Sequence, residues 1–316
     1  MKKLFFILAA GIILGGPLGC TKVNSPVAPN TALSVAPVQT GVTAIFNRQW
    51  NSGSSPVGIG LDANSNVYVV DSDADQVLKF NSKGIPVTAW GSIGTGAGQF
   101  KHPFGLTVSA DGYLYVADSG NKRIQVLDAT GSFVKQFDST SLGSDSFSYP
   151  VGVALNTNGD LWVSDISNLV WQISGVTAAV PWGKNGNVDG QFNYPIGMAA
   201  DSEGNMLVAD YQGNQVTKFN IQTKVVTHFG QTGTGNGQLI NPTDVKTDKN
   251  GNIFVVDAGN NRIQIFDHNG LYLAQFGQPD DPTQRLSHPL AMAIDGMGNL
   301  FVTDNGNSRV VNYRLQ

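Results

Sequence analysis

Asp244 and Lys246 lie in the segment 242–246, whose counterparts elsewhere in the chain carry small, uncharged residues at both positions. Residues two apart on a strand project to the same face, so the two side chains lie side by side. A carboxylate next to an ammonium group can form a structural ion pair. It can equally bind a ligand or take part in catalysis, and the sequence leaves both interpretations open.

A second set of candidates consists of the residues that directly precede six regularly spaced prolines. Its members are Ser55, His102, Tyr149, Tyr194, Asn241 and His288. If the two His, the two Tyr and the Asn converge, they can bind a small polar ligand, and His can also ligate a metal. The alternative is that these residues cap a loop and pack on the proline. We treat all except Ser55 as candidate ligand-binding residues, together with Asp244 and Lys246.

The segment from Asp71 through Asp73 to Asp75 resembles the start of a calcium-binding loop. Gln76 stands where such a loop needs Gly, and Ser82 stands where it needs a bidentate Glu. The pattern is therefore incomplete. We expect no cofactor and assign no catalytic residue, and the ions that the sequence leaves open are calcium and zinc.

These candidates belong to units that recur along the chain. Six prolines follow one another at intervals of 47, 47, 45, 47 and 47 residues, at Pro56, Pro103, Pro150, Pro195, Pro242 and Pro289. An aspartate follows each proline by 15 residues, at Asp71, Asp118, Asp165, Asp210, Asp257 and Asp304. A residue present in every unit is expected to be architectural, so we expect these aspartates to accept backbone N–H bonds in the turn that follows.

Each unit contains four short apolar or alternating runs that are separated by Gly, Asn and Asp turns, which is typical of strands and hairpins. Four-stranded units of about 45 residues predict propeller blades. The sequence therefore predicts an all-β, six-bladed propeller of antiparallel blades. The repeats span about 55–100, 101–148, 149–193, 194–240, 241–287 and 288–316.

The sixth repeat ends before its outer strand. Residues 44–50 resemble the outer-strand segment 133–137. We therefore expect this N-terminal strand to complete the last blade and to close the ring.

The units resemble NHL repeats, which form six-bladed propellers. The resemblance depends on Pro-Val-Gly-Ile-Gly-Leu-Asp at 56–62, on residues 116–126 and on Val-Val-Asp-Ala-Gly-Asn-Asn-Arg-Ile-Gln-Ile-Phe-Asp at 255–267. That family includes RNA- and protein-binding propellers, sensor domains and an amidating lyase. The lyase resemblance implies zinc-binding His just after the repeat proline. The matching residues are Val57, Phe104, Val151, Ile196, Thr243 and Leu290, so that zinc site is absent.

Composition agrees with a chain of strands and turns. The chain has 316 residues, of which 38 are Gly, and its acidic residues are 22 Asp and a single Glu. Glu favours helices, whereas Asp and Gly favour turns, so a helical bundle or a coiled coil is excluded. The net charge is -4 and no run of Lys or Arg occurs after position 3, so we expect no nucleic-acid partner.

The first 20 residues resemble a bacterial lipoprotein leader. Two Lys precede an apolar run at 4–14 that is too short to span a bilayer, and Cys20 is the single cysteine of the chain. Pro17 departs from the Leu that this position usually carries. We expect a signal peptide at 1–20, a lipid anchor on Cys20, a Pro/Ala/Ser/Thr-rich tether at 21–42 and the propeller at 43–316.

These observations predict an exported propeller, attached to a membrane of the cell envelope by its lipid alone, that serves as a binding scaffold. The expected ligand is a protein, a glycan or a small molecule. One alternative is a lyase- or lactonase-like enzyme that uses the mouth of the channel. Another is an extracytoplasmic sensor or a subunit of an envelope complex. The sequence favours binding over catalysis, because the blades are regular and no known catalytic set is present.

Overall fold

A computed structural model of the protein describes residues 42–142, 147–174, 179–183, 190–220 and 222–316. The expected signal peptide, nearly all of the tether and Cys20 lie outside these residues. Residues 42–316 form one compact unit. In the part of the chain that is described, no helix is long and apolar enough to cross a membrane.

The unit consists of six four-stranded antiparallel sheets, each of which is one blade, so the predicted all-β six-bladed propeller is confirmed. Blade 1 contains β2 (Pro56–Leu61), β3 (Val67–Asp71), β4 (Gln76–Phe80) and β5 (Pro86–Trp90). Blade 2 contains β6 (Leu106–Val108), β7 (Leu114–Asp118), β8 (Arg123–Leu127) and β9 (Phe133–Phe137). Blade 3 contains β10 (Pro150–Leu155), β11 (Leu161–Asp165), β12 (Leu169–Ile173) and β13 (Ala179–Trp182).

The other three blades repeat this order. Blade 4 contains β14 (Pro195–Ala200), β15 (Asn205–Asp210), β16 (Gln215–Asn220) and β17 (Val226–Phe229). Blade 5 contains β20 (Pro242–Thr247), β21 (Ile253–Asp257), β22 (Arg262–Phe266) and β23 (Tyr272–Phe276). Blade 6 contains β24 (Pro289–Ile294), β25 (Asn299–Asp304), β26 (Arg309–Leu315) and, as its outer strand, β1 (Ala44–Asn51).

Short elements occur between the blade strands. The connection from blade 4 to blade 5 contains a parallel pair, β18 (Gln231–Thr232) and β19 (Gln238–Leu239). The described helical elements are α1 (Ser139–Leu142) and four single turns of 3-10 helix, at Ser119–Asn121, Ala258–Asn260, Pro282–Gln284 and Asn305–Asn307. The blades thus supply almost all of the regular structure.

The N-terminal strand completes the last blade, as the sequence predicts. Strand β1 pairs antiparallel with β26, from Ala44 opposite Leu315 to Asn51 opposite Arg309. Just outside this ladder, the backbone N–H groups of Thr43 and Gln316 each donate to the other residue's carbonyl, at 3.0 and 2.9 Å. The pairing brings the two ends of the described unit together.

Trp50 joins the last blade to the first. Its ring lies 6.1 Å from Phe301 of blade 6 and 5.9 Å from Phe80 of blade 1. Similar contacts join blades inside the ring, where Phe229 of blade 4 lies 5.0 Å from Phe266 of blade 5. The closing contact therefore uses the same aromatic packing as an internal one.

The innermost strands approach one another so closely that little space remains on the axis. Gly58 and Gly105 lie against the backbone of the next blade, where an added Cβ would collide with the carbonyl oxygens of Phe104 and Val151. The narrow part of the channel has a volume of about 30 Å³, which is room for little more than one water molecule. It is lined by the residues that follow the repeat prolines, all of them buried: Val57, Phe104, Val151, Ile196, Thr243 and Leu290. The positions at which the lyase resemblance implies zinc-binding His thus form a narrow constriction, and five of their six side chains are apolar.

Candidate functional site

The Asp244–Lys246 pair lies inside the channel and connects three blades. The Lys246 ammonium is 2.6 Å from the Asp244 carboxylate and also donates to the carbonyl of Met198 in blade 4, at 3.2 Å. Asp244 accepts the backbone N–H of Met292 in blade 6, at 2.9 Å. Burial raises the pKa of Asp244, and the Lys246 ammonium opposes that increase. The contacts are those of an ion pair between blades.

The backbone around the repeat prolines is held by side chains from the neighbouring blade. Four residues that precede a proline adopt a left-handed conformation, with φ from 45° to 69°: His102, Tyr194, Asn241 and His288. Their N–H groups donate, at 2.6 to 2.8 Å, to side chains of the preceding blade: Asp75, Asn168, Asn214 and Asn261, respectively. We call the six residues before the prolines the proline rim. Asp75, a candidate calcium ligand, is part of this support.

Two tyrosines of the proline rim, Tyr149 and Tyr194, lie near Tyr211 at the junction of blades 3 and 4. The rings of Tyr194 and Tyr211 lie 5.8 Å apart. Burial raises the pKa of Tyr194 to about 12, and Tyr149, Tyr211 and the Asp165 carboxylate contribute electrostatically to this increase. All three side chains are half-buried. We call Tyr149, Tyr194 and Tyr211 the tyrosine cluster.

The tyrosine cluster has two further polar features. The Tyr149 hydroxyl is buried and has no hydrogen-bond partner within the described residues. Asn241, from blade 5, donates its side-chain amide to the carbonyl of Tyr211 at 3.2 Å. The structure thus brings Tyr149, Tyr194 and Asn241 from three consecutive blades to one part of the rim. Tyr211 is a member that the sequence analysis missed, although its counterparts are Ser72, Ser119, Ile166, Ala258 and Asn305.

His102 and His288 lie in blades 2 and 6, and no contact joins their described side chains. His288 is exposed, with its Nδ1 3.4 Å from the Ser287 hydroxyl. Across the five described ranges, no group of three or more His, Cys, Asp or Glu is arranged to hold a metal. The structure therefore does not bring the two His into one candidate site.

The candidate calcium ligands are engaged in other contacts. Asp71 accepts the backbone N–H of Ser54 at 2.9 Å and that of Ser55 at 3.1 Å. Asp75 accepts the N–H of His102 at 2.6 Å, whereas Asp73 is exposed. Asp71 and Asp75 thus stabilise the backbone of blades 1 and 2.

The six repeat aspartates have one shared role. Each accepts the N–H of the residue two positions before the proline of its own blade, at 2.6 to 2.9 Å. The expected bond to the following turn is also present at Asp165, which accepts the N–H of Ser167 at 2.8 Å. The aspartates thus stabilise the backbone as predicted, but their common partner lies before the proline.

The aspartates differ in how their charge is compensated. In blades 2, 5 and 6 the cross-strand neighbour is an arginine, 2.6 to 2.7 Å from the carboxylate, in the pairs Arg123–Asp118, Arg262–Asp257 and Arg309–Asp304. In blades 1, 3 and 4 that neighbour is Gln76, Leu169 and Gln215. Within the described residues, no Lys or Arg forms an ion pair with Asp71, Asp165 or Asp210.

Asp210 is the least compensated of these carboxylates. It is 0 % exposed, and Gln215 reaches it only at 3.5 Å. Burial raises its pKa from 3.8 to about 7, although the N–H of Asn193 donates to it. Tyr211 is the next residue in the chain, and the N–H group that Asp210 accepts belongs to Asn193, which precedes Tyr194. A carboxyl with a pKa near neutrality is unusual in a structural position.

Six four-stranded blades in a closed ring define a six-bladed β-propeller. Residues 100–127, 147–168 and 239–266 match the NHL repeat family, so the chain carries NHL repeats, as its motifs predict. No curated protein sequence matches the chain significantly.

Solved structures with this fold include enzymes. Virginiamycin B lyase from Staphylococcus aureus is 15 % identical, with a TM-score of 0.63 over 87 % of this chain and 100 % of the lyase. A gluconolactonase from Xanthomonas campestris is 15 % identical, with a TM-score of 0.67 over 87 % of this chain and 89 % of that chain. A Bacteroides thetaiotaomicron protein of unknown function is 17 % identical, with a TM-score of 0.68 over 87 % of this chain and 76 % of that chain. At these identities the similarity establishes the fold alone.

Proposed function

We propose that this protein is an exported, lipid-anchored propeller that binds a ligand at the tyrosine cluster. The observation that carries the proposal is the grouping of Tyr149, Tyr194 and Tyr211 at one place on the rim of an otherwise regular ring. Half-buried tyrosines offer apolar ring faces together with polar hydroxyls, which suits recognition of a small molecule, a glycan or a protein side chain.

The tyrosine cluster is tested by a ligand screen in which one residue of the cluster is changed. The full chain is screened by thermal shift against small polar molecules, oligosaccharides and peptides. Tyr211→Ser installs the residue that blades 1 and 2 carry at this position, and it is expected to abolish the ligand-induced rise in melting temperature. Tyr113→Ser is the control, because Tyr113 is 39 % exposed and lies outside the rim. A ligand whose effect survives Tyr211→Ser binds elsewhere and contradicts the proposal.

The export and anchoring part of the proposal is supported by the leader and by the position of Cys20. Cells that express the full chain are grown with a labelled fatty acid and then fractionated. The wild-type protein is expected to carry the label and to sediment with membranes, whereas Cys20→Ser should carry none. Label retained by Cys20→Ser would exclude this residue as the anchor.

An enzyme is the second candidate function, and Asp210 is the observation that favours it. A carboxyl whose pKa burial raises to about 7 is more typical of a functional site than of a structural position, and Asp210 directly precedes Tyr211 in the chain. Solved propellers with a similar fold include a lyase and a gluconolactonase. Turnover of a lactone panel that disappears in Asp210→Asn would favour the enzyme. Saturable binding without turnover would favour the scaffold.

A further inference from the structure

The distribution of arginine around the ring distinguishes the blades that carry the tyrosine cluster from blades 2, 5 and 6. Asp118, Asp257 and Asp304 each have a guanidinium within 2.7 Å, so those blades carry neutralised carboxylates. Asp165 and Asp210, in the adjacent blades 3 and 4, have none within the described residues. Blades 3 and 4 therefore each carry a buried carboxylate without a guanidinium partner, and each carboxylate is bonded to backbone at or next to a tyrosine of the cluster: Asp165 to the N–H of Tyr149 and Asp210 to that of Asn193.

The two carboxylates are not available as direct ligands. Both are fully buried, and backbone N–H groups occupy them: Asp165 accepts from Ser148 and Tyr149, and Asp210 accepts from Asn193. Their charge therefore acts through space, across surroundings that screen it less than bulk water does. The Asp165 carboxylate reaches the tyrosine cluster in this way, since it acts electrostatically on Tyr194.

Burial raises the pKa of Asp210 to about 7, so the charge of this carboxylate is fully present only above neutral pH. Gln215 takes the place of the arginine, and Thr217 takes the place of a glutamine that contacts the aspartate in blades 2 and 5. His228 lies opposite Thr217 on β17, with its Nδ1 3.0 Å from the threonine hydroxyl. The remaining groups are the phenols themselves, which are neutral in this pH range.

We propose, on the basis of the ligand-binding function above, that the tyrosine cluster binds an organic cation, specifically a quaternary ammonium group. Aromatic faces attract such cations through the ring quadrupole, and the buried Asp165 and Asp210 add a long-range attraction. A primary ammonium would need hydrogen-bond acceptors that the buried carboxylates do not offer. A quaternary ammonium has no N–H donors to satisfy.

The first test compares choline with 3,3-dimethylbutan-1-ol, which has the same shape and carries no charge. Binding of each probe to the full-length protein is measured by isothermal titration calorimetry at about pH 8.5, where the Asp210 carboxyl is ionised. Choline is expected to bind at least about 10-fold more tightly than the neutral probe, as a desolvated cation–π contact allows. Equal affinities would overturn the role of charge, and so would the absence of choline binding.

The second test restores the missing arginine. Gln215→Arg reproduces in blade 4 the pair seen in blades 2, 5 and 6, so it should weaken choline binding at least 10-fold while leaving the melting temperature unchanged or higher. Gln76→Arg is the matched control, because it makes the same change beside Asp71 in blade 1, outside the tyrosine cluster. Unchanged choline affinity in a folded Gln215→Arg protein would overturn the proposal.

Tyr211→Ser separates a failure of this inference from a failure of the binding function. If Tyr211→Ser weakens choline and the neutral probe equally, the cluster binds ligands but does not select cations. If Tyr211→Ser abolishes the binding of a ligand of another class while choline never binds, the ligand-binding function stands and the cation inference fails. If no ligand of any class depends on Tyr211, both proposals fail.

Discussion

Replacing Asp210 with asparagine should make the protein more stable above neutral pH. The unfolded chain ionises this carboxyl with a pKa near 3.8, whereas burial raises the folded-state pKa to about 7. Between these values the folded protein retains a proton that the unfolded chain has lost. The free energy of unfolding therefore falls as pH rises from about 4 to about 7, and the loss is complete above that range. Asparagine has no such proton to lose.

The size of the effect follows from the two pKa values. A difference of about three corresponds to roughly 4 kcal/mol at about 1.4 kcal/mol for each tenfold change in the ionisation constant. That figure is an upper limit for the stabilisation by Asp210→Asn at pH 8. The amide oxygen of asparagine can still accept the N–H of Asn193, which donates to Asp210 at 2.7 Å. The substitution therefore removes the charge without removing that hydrogen bond.

The assay is urea unfolding of the wild type and of Asp210→Asn, followed by tryptophan fluorescence at several pH values from 5 to 9. The difference in the free energy of unfolding should grow with pH and reach a plateau above about pH 7. Asp257→Asn is the matched control, since Asp257 is paired with Arg262 at 2.7 Å. Breaking a buried pair leaves an uncompensated guanidinium, so Asp257→Asn should cost about 3–5 kcal/mol.

Replacing aspartate with asparagine should thus raise the free energy of unfolding at position 210 and lower it at the equivalent position 257. A wild-type protein whose stability does not depend on pH between 5 and 8 would refute the uncompensated state of Asp210. So would an Asp210→Asn protein that is as strongly destabilised as Asp257→Asn.

Four further variants test the architecture. Trp50→Ala should lower the free energy of unfolding by about 2–4 kcal/mol in urea, because the ring packs between blades 6 and 1; a loss below about 1 kcal/mol would contradict the closure. Lys246→Met leaves the buried Asp244 unpaired and should lower the free energy of unfolding by about 3–5 kcal/mol. The double variant Asp244→Gly with Lys246→Ala installs the residue types that blade 4 carries at these positions, and it should recover most of that loss. Asn214→Ala removes the side chain that accepts the N–H of Asn241 and should lower stability by about 1 kcal/mol; an unchanged melting temperature would show that this bond is dispensable.

Most of the fold follows from the sequence because a propeller is built from near-identical units. The proline interval fixes the number of blades, and the truncated sixth unit together with residues 44–50 fixes the closure. The contacts between blades are harder to predict. The side chains of Asn214 and Asn261 each bind a backbone group of the next blade, about 27 residues away, and no local pattern reveals that partner.

The candidate site is only partly predictable, for a physical reason. Tyr149, Tyr194 and Asn241 all directly precede a repeat proline, so the sequence predicts that they share a position on the rim. Asp210 and Tyr211 occupy repeat positions whose counterparts in the other blades have a structural role. Asp210 differs from its counterparts in blades 2, 5 and 6 because no arginine neutralises it. That difference depends on the cross-strand pairing of Asp210 with Gln215.

The pairing of β1 with β26 has a consequence for how the chain can be rearranged. Thr43 and Gln316 exchange backbone hydrogen bonds, so the first and last residues of the described ring are immediate neighbours. A circularly permuted gene could therefore join these two positions through a short linker and place the new termini between any two blades. Such a permutant would keep every native strand pair, and only the order in which the blades are synthesised would change.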